Sequence, residues 1–251
     1  MIQKLELKVM RQSLYSAPNE EYKRHIELCL GKLDIVFPLF LGVLKKIFSF
    51  IDELRLKDSF QKMIQYHDIG KLTKKWQENV GTNKSLPSHS PVGACYLWKV
   101  LPEGLRQPIS FAVLIHHTDS GLLGDNIEKP DVQAILDGVV DNSGNIKWHE
   151  ATENLDSGFF PEIAKNMNVH DLKEMARGLR IWARGCNLLE QHQRRMQASL
   201  AHHILKLCDI SAATERKDYQ KKDDQDYYGG WLMVEGIRMY VENIKARKEG
   251  F

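Results

Sequence analysis

With 251 residues, the chain has room for one large domain or two small ones. Its content of 43% hydrophobic and 27% charged residues is that of an ordinary soluble globular protein able to bury a core. A net charge of +2 excludes a global basic field that would hold nucleic acid regardless of sequence, so any such contact must come from a local patch.

Along the chain the pattern is nearly all helical. Met1 to Met10 carries lysines throughout and lacks the apolar segment of a signal peptide. Pro18-Asn19-Glu20-Glu21 opens a predicted helix that carries His25 near Ile26, Cys29 and Leu30. Pro38 fits the first turn of the next helix, where a missing N–H costs little, with a stripe of Leu41, Leu44, Ile47, Phe48, Ile51 and Leu54. Phe37 to Phe50 is the most apolar run, but Lys45 and Lys46 interrupt it and it is too short to span a bilayer. It reads as a core helix, and no membrane association is expected.

Asp58 to His67 reads as an amphipathic helix capped by Asp58 or Ser59, with Phe60, Met63, Ile64 and His67 at i, i+3, i+4 and i+7. Gly70 supplies a C-terminal stop. A short segment with Trp76 and a polar loop from Gly81 to Ser88 follow. Ser90-Pro91 opens a helix lined by Val92, Cys95, Tyr96 and Val100, and His89 stands just before it. Pro102 to Pro108 reads as a turn and Ile109 to His117 as an apolar helix ending in His116-His117. Thr118 to Val169 is a long loop with possible helix, Asp171 to Ser211 holds one or two long helices, and Trp231 to Ala246 is a terminal helix after the charge-dense stretch Asp218 to Asp226. No segment alternates with period two for long, so the predicted class is mainly α.

Cys29, Cys95, Cys186 and Cys208 form no C-x-x-C pair and read as reduced core residues of a cytoplasmic protein. His149, His170 and His192 read as surface residues, and Met196, Leu200 and Leu205 as core. Adjacent helix positions point about 100° apart, so at most one of His202 and His203 faces any given site, and both are left out.

The chemistry concentrates at Tyr66-His67-Asp68-Ile69-Gly70-Lys71. His67 offers an imidazole nitrogen and Asp68 a carboxylate with two oxygens, able to bridge two metals. A lone His-Asp pair is weak, and His170-Asp171 is a second copy. However, His25, His67, Asp68, His89, His116, His117 and Asp209 each lie on or at the end of a predicted helix, and a helical bundle can bring such side chains to one interior site. Five histidines and two carboxylates suit two metals sharing Asp68, and nitrogen-rich ligation favours Mn, Fe, Co, Ni or Zn over Mg. Such a pair can hold and acidify a bridging water, and Lys71 can neutralise charge on a phosphate. Taken singly, His25 is also compatible with a partly exposed helix histidine, His116-His117 with a helix end that offsets the dipole, and Asp209 with a cap or surface pair.

The ordered series His25, His67-Asp68-x-Gly70-Lys71, His89-Ser-Pro-Val-Gly93, His116-His117 and Leu207-Cys-Asp209-x-Ser211 resembles the HD-domain metal-dependent phosphohydrolases. It is most similar to the stand-alone HD nuclease of type I CRISPR systems, the form without a fused helicase. Trp76-Gln77 matches that family's aromatic–glutamine extension, and Gly93-Ala94 follows His89 as it does there. The resemblance spans roughly Glu21 to Thr214. It implies a helical HD bundle with a metal site between helices, and one domain over 1–251 with a core at about 19–214 and a C-terminal extension at 215–251.

By the resemblance, His25, His67, Asp68 and Asp209 hold one metal, and Asp68, His89, His116 and His117 a second. Lys71 serves the phosphate and Ser211 touches substrate. The implied cofactors are two divalent ions per chain, Mn, Fe, Co or Ni rather than Mg. The implied activity is cleavage of single-stranded DNA in CRISPR interference, with a separate helicase subunit and the crRNA-guided surveillance complex as partners. Gly81-Thr82-Asn83-Lys84-Ser85 lacks the glycine before the lysine of a phosphate-binding loop, so no motor of the chain's own is expected. Two other readings stay open: a phosphohydrolase acting on nucleotides or cyclic nucleotides, and a non-catalytic HD module that binds a partner. Gly121 to Asn168 carries no matching motif.

Overall fold

The computed structural model describes residues 13–117 and 139–215, together with 236, 239, 240, 242, 243 and 246. Among them the chain begins with an antiparallel hairpin, β1 (Tyr15–Ala17) and β2 (Glu20–Glu21). It continues through α1 (Tyr22–Ile47), α2 (Glu53–Tyr66), a 3-10 turn (Ile69–Leu72), α3 (Lys74–Asn79), α4 (Ser90–Val100) and α5 (Arg106–Leu114). A second 3-10 turn (Glu150–Asn154), α6 (Glu162–Lys165), α7 (Val169–Arg184) and α8 (Leu188–Ala213) complete it. The expected mainly-α class holds. Helix α8 packs most extensively on α1 and α5, α4 lies along α5, and α2 lies on α1. Among the described residues no helix is long and apolar enough to cross a membrane.

Pro18 and Asn19 do not open a helix. They form the turn between β1 and β2, and α1 starts at Tyr22. Pro38 does not start a new helix either; it lies inside α1. An interior proline costs roughly 3 kcal/mol through a lost hydrogen bond and a clash with the carbonyl at i−4. Here Pro38 and Asp34, which owns that carbonyl, are both exposed, so water can reach the freed oxygen. The buried stripe of Leu33, Val36, Phe37 and Leu44 runs past the proline without a change of phase. At about 1.5–3 kcal/mol per buried large side chain, that stripe outweighs the break.

Helix α2 starts earlier than its pattern suggests. Asp52 caps it by accepting from the Arg55 backbone N–H at 2.9 Å, so Asp58 and Ser59 lie inside it. Leu54 is 80% exposed at its first turn and belongs to no stripe. Helix α5 starts at Arg106, three residues ahead of the expected Ile109, with Pro108 within its first turn. It ends at Leu114, which leaves His116 and His117 just beyond it.

The expected Asp171-to-Ser211 region is two helices. They break at Gly185, whose φ of 59° suits glycine, and Asn187 caps α8 by accepting from Glu190 N–H. Residues 118–138, the stretch Asp218 to Asp226 and most of the predicted terminal helix lie outside the described residues. The later part of the motif-free region is stitched to the 3-10 turn after α2: Leu72 O accepts from His149 N–H, and Lys74 N–H donates to Lys147 O. Cys29, Cys95 and Cys208 are buried, but Cys186 is exposed, and so is Met196. Both lie on or beside the solvent side of the α7–α8 junction rather than in the core.

Candidate metal centre

His67 is the C-cap of α2 and keeps the helical hydrogen bond to Met63 O at 3.0 Å. Its Nδ1 lies 2.7 Å from Ile64 O. A carbonyl can only accept, so Nδ1 carries the proton and Nε2 is bare. His116 repeats the device past the end of α5, with Nδ1 2.6 Å from Val113 O. In both cases a carbonyl of the last helical turn fixes the imidazole with its Nε2 inward. Gly70 is therefore no simple stop, because a 3-10 turn runs straight through it.

The glycine has a longer-range reason. A β-carbon on Gly70 would stand 2.2 Å from the His89 carbonyl oxygen, and one on Gly93 would stand 2.2 Å from the His67 carbonyl oxygen. The turn after α2 and the start of α4 thus meet backbone to backbone, each glycine receiving the other segment's histidine carbonyl. This close approach brings His89 Nε2 to 3.0 Å from Asp68 Oδ1. Trp76 from α3 stands edge-on to the His89 ring at 4.7 Å between centroids.

Asp68 sits at the middle. Its Oδ2 lies 3.3 Å from His25 Nε2 and 3.4 Å from His67 Nε2, and its Oδ1 faces His89 and, at 3.7 Å, His116 Nε2. Asp209, from α8, places Oδ1 3.2 Å from His25 Nε2 and 3.8 Å from His67 Nε2. His117 Nε2 is 2.7 Å from His89 Nε2. Two groups of donor atoms result, each within 4.8 Å: His25, Cys29, His67 and Asp209 on one side, and Asp68, His89, His116 and His117 on the other. Lys71 Nζ pairs with Asp68 Oδ2 at 2.6 Å. His25 is buried rather than partly exposed, and Asp209 faces the cluster rather than the surface.

The electrostatics suit a cation. Burial alone would raise the Asp68 carboxyl, but His67, Lys71 and His89 hold it well below the usual carboxylate range. Burial would raise Asp209 as well, but His25 and His67 beside it hold it well below the usual range. Burial pushes His89 down to about 4, against the pull of Asp68. Enclosure by protein, with His116 and His89 beside it, also holds His117 down, although the residue's outer side is exposed. At Lys71, Asp68 and Asp209 prevail over burial and raise the ammonium. His25 is also held well above its ordinary value: burial opposes this, and Cys29, Asp209 and Asp68 prevail.

Buried polar atoms test the fit. His67 Nε2 in one group and His116 Nε2 in the other are buried acceptors that make no hydrogen bond among the described residues. Bare acceptors facing one another without a donor cost about 1–3 kcal/mol each. A divalent cation in each group would satisfy them, so the donor set fits. Burial pushes the Cys29 thiol up to about 11, although His25 pulls the other way. As a neutral thiol it is a weak donor, and it lies 3.5 Å from His25 Nε2.

Sequence reasoning assigned no role to three supporting residues. Glu20, on β2, is buried with Oε2 3.2 Å from His25 Nδ1, and Ser16 Oγ donates to the same oxygen at 2.9 Å. Gln77 accepts from Tyr15 N–H at 3.0 Å and donates to Tyr15 O and Lys71 O, tying the hairpin to the Lys71 turn. His202 lies two helical turns before Asp209 on the same face of α8, bonds the Ile115 backbone, and is pushed by burial down to about 4. Only its spacing of seven from Asp209 signalled this. Ser211, by contrast, is buried and about 200° round α8 from Asp209, and no bond from its side chain to the cluster is found among the described residues.

No family model and no curated protein sequence matches this chain. Among solved structures it superposes on the CRISPR-associated Cas3 HD domain protein of Methanocaldococcus jannaschii, with a TM-score of 0.57 and 15% identity. The alignment covers 77% of this chain and 98% of that one. At that identity the likeness speaks for architecture, and the chain has the all-helical fold of an HD domain.

Proposed function

We propose that this protein is a metal-dependent hydrolase that cuts phosphodiester bonds of single-stranded DNA with a dinuclear centre. The observation that carries the reading is Asp68: buried, ionised, and with each oxygen turned to a different group of nitrogen donors. His25, His67, Asp68 and Asp209 would hold one ion, and Asp68, His89, His116 and His117 the other. Nitrogen-rich sets favour Mn, Fe, Co or Ni over Mg. Such a pair, when bound, supplies a nucleophilic water at neutral pH and charge stabilisation for the leaving oxygen.

The chain's own groups prepare the rest. Helix-end carbonyls hold His67 and His116 in the tautomer that presents Nε2 inward. Lys71 stays protonated and sits at the carboxylate, placed to neutralise a phosphate oxygen. His117 is the most exposed of the donors and marks the side from which a substrate reaches the centre.

The substrate class rests on the ordered motifs and on the CRISPR association of the superposed protein. Gly81 to Ser85 is an exposed turn after α3, with no strand before it, unlike a nucleotide-binding loop. Strand separation would therefore fall to a separate helicase subunit, acting with a crRNA-guided complex. Elemental analysis with cleavage of labelled single-stranded and blunt duplex DNA, with Mn²⁺ or with chelator and without ATP, tests this. The expected result is metal near two ions per chain, chelator-sensitive cleavage of the single strand, and an intact duplex. Equal rates on both DNAs would refute the need for a helicase. Hydrolysis confined to mononucleotides or cyclic nucleotides would refute the nuclease.

A further inference from the structure

A cleft of about 550 Å³ opens where α4, the start of α5 and the α7–α8 junction meet. Its walls include Trp98 and Trp182, its floor Gly178, and its rim Arg106, Arg184 and Arg194. Among the described residues no carboxylate lines it. A β-carbon on Gly178 would stand 2.3 Å from the Trp98 ring, so the glycine lets α7 lie flat on that indole. Arg106 covers the Trp98 ring at 4.9 Å, and Arg194 lies 5.9 Å from the Trp182 ring.

The arginines are not equivalent. Arg194 pairs with Glu190 and bonds the Trp182 carbonyl. Arg106 and Arg184 have no carboxylate partner among the described residues, and Arg106 Nε is buried without a hydrogen bond. Arg106, stacked on the buried Trp98, and the exposed Arg184 form with the half-buried Trp182 a local basic, aromatic site on a chain whose net charge is only +2. A half-buried indole such as Trp182 takes a nucleobase of any identity by stacking, and guanidinium groups take the phosphates beside it. A cleft of this volume is within the range of ligand pockets.

We infer that this cleft is a second, non-catalytic binding site for single-stranded nucleic acid. The inference rests on the nuclease reading above. Helix α4 joins the two sites, with His89 at one end and Trp98 near the other. Nine residues at 1.5 Å each separate them by about 14 Å, or roughly four nucleotides of a stacked strand. The cleft would grip the strand at a fixed remove from the bond being cut.

The test is fluorescence anisotropy of a labelled twelve-nucleotide oligothymidine with the full chain in chelator, so that nothing is cut, across a salt series. Each lost phosphate contact should reduce the log–log salt slope by about 0.7. Arg106→Ala with Arg184→Ala should therefore flatten it by about 1.4 and weaken binding about 25-fold at 0.1 M salt, relative to 1 M. Arg184→Glu alone, at an exposed position, should weaken binding without a change in helical circular dichroism. Unchanged affinity and slope in both variants would overturn the inference. So would competition by polyglutamate as effective as that of unlabelled oligothymidine, which would mark the cleft as a site for acidic protein. Turnover of bis(p-nitrophenyl) phosphate by a wild-type chain that binds no oligonucleotide would sink the cleft and leave the hydrolase standing. Arginine-dependent binding with no turnover under any metal would do the reverse.

Discussion

Replacing Gly93 with alanine should disturb the centre without touching any side chain in it. The new β-carbon would stand 2.2 Å from the His67 carbonyl oxygen, 2.9 Å from its carbon and 3.0 Å from the Tyr66 oxygen. An ordinary C···O contact is about 3.4 Å, so α4 must withdraw from the end of α2 by about 1 Å. No flexible side chain can absorb this, because all three clashing atoms are backbone. The retreat pulls His89 away from Asp68, now 3.0 Å distant.

Overpacking typically costs about 1–3 kcal/mol, and a backbone clash belongs at the upper end. At roughly 2–4 °C per kcal/mol for a chain of this size, Tm should fall by about 6–12 °C in metal-free protein. A misplacement near 1 Å should also cost about 10²-fold in turnover. Gly31→Ala is the control. It is an exposed glycine inside α1 with nothing near its would-be β-carbon, and should instead stabilise by about 0.5–1 kcal/mol. Thermal denaturation in chelator, metal titration and single-strand cleavage read the three effects separately. A Gly93→Ala chain that melts, binds metal and cuts like wild type would refute the reasoning.

Asp68→Ala should abolish cleavage and strip both ions while the far-ultraviolet helical signal remains; near wild-type cutting with Mn²⁺ would remove the shared-carboxylate reading. His116→Ala and His117→Ala should each lower metal content toward one ion per chain and remove most activity, as elemental analysis and cleavage assays will report. Lys71→Ala should keep its metal and turn over about 10²–10³-fold more slowly, and metal loss would give it a structural role instead. Glu20→Gln should weaken metal binding about 10–100-fold in a titration, because His25 loses the carboxylate that orients it. Affinity equal to wild type would show that Glu20 only packs.

The sequence was most readable where one local period carried the information. Phe60, Met63, Ile64 and His67 share a face, and all four are buried as the spacing requires. Boundaries were less readable, because several residues could serve the same local role. Asp52 and Asp58 are both good caps, and the choice between them depends on Leu54, which the tertiary structure leaves in solvent. Pro38 misled for a similar reason: its penalty is local, whereas the packing that overrides it involves α8 and α2. The N-terminal hairpin depends on Gln77, 62 residues away from Tyr15, and no local pattern encodes that bond.

The candidate site divides along the same line. His67, Asp68, His89, His116 and His117 are legible because each stands at a helix end, and a helix end is announced by short-range signals. Glu20 and His202 are not, since their partners are distant in sequence. The glycines fall between the two cases. Read along the chain, Gly70 has only a local role to offer, that of ending a helix. In space, it receives the carbonyl of His89, while Gly93 receives that of His67. Each glycine lies three or four residues after its own histidine, on the side of the turn that the other segment meets. A β-carbon at either place would separate both histidines at once. The glycines after His67 and His89 are therefore two halves of one contact, and the spacing within each motif is the depth to which its segment docks into the other. On this argument, relieving one half cannot restore the other. Adding Gly70→Ala to Gly93→Ala should cost less than the sum of the two single changes, because the first already opens the gap that the second needs. A double-mutant cycle by thermal denaturation measures this coupling. Strict additivity of the two losses would mean that the segments do not dock as one unit.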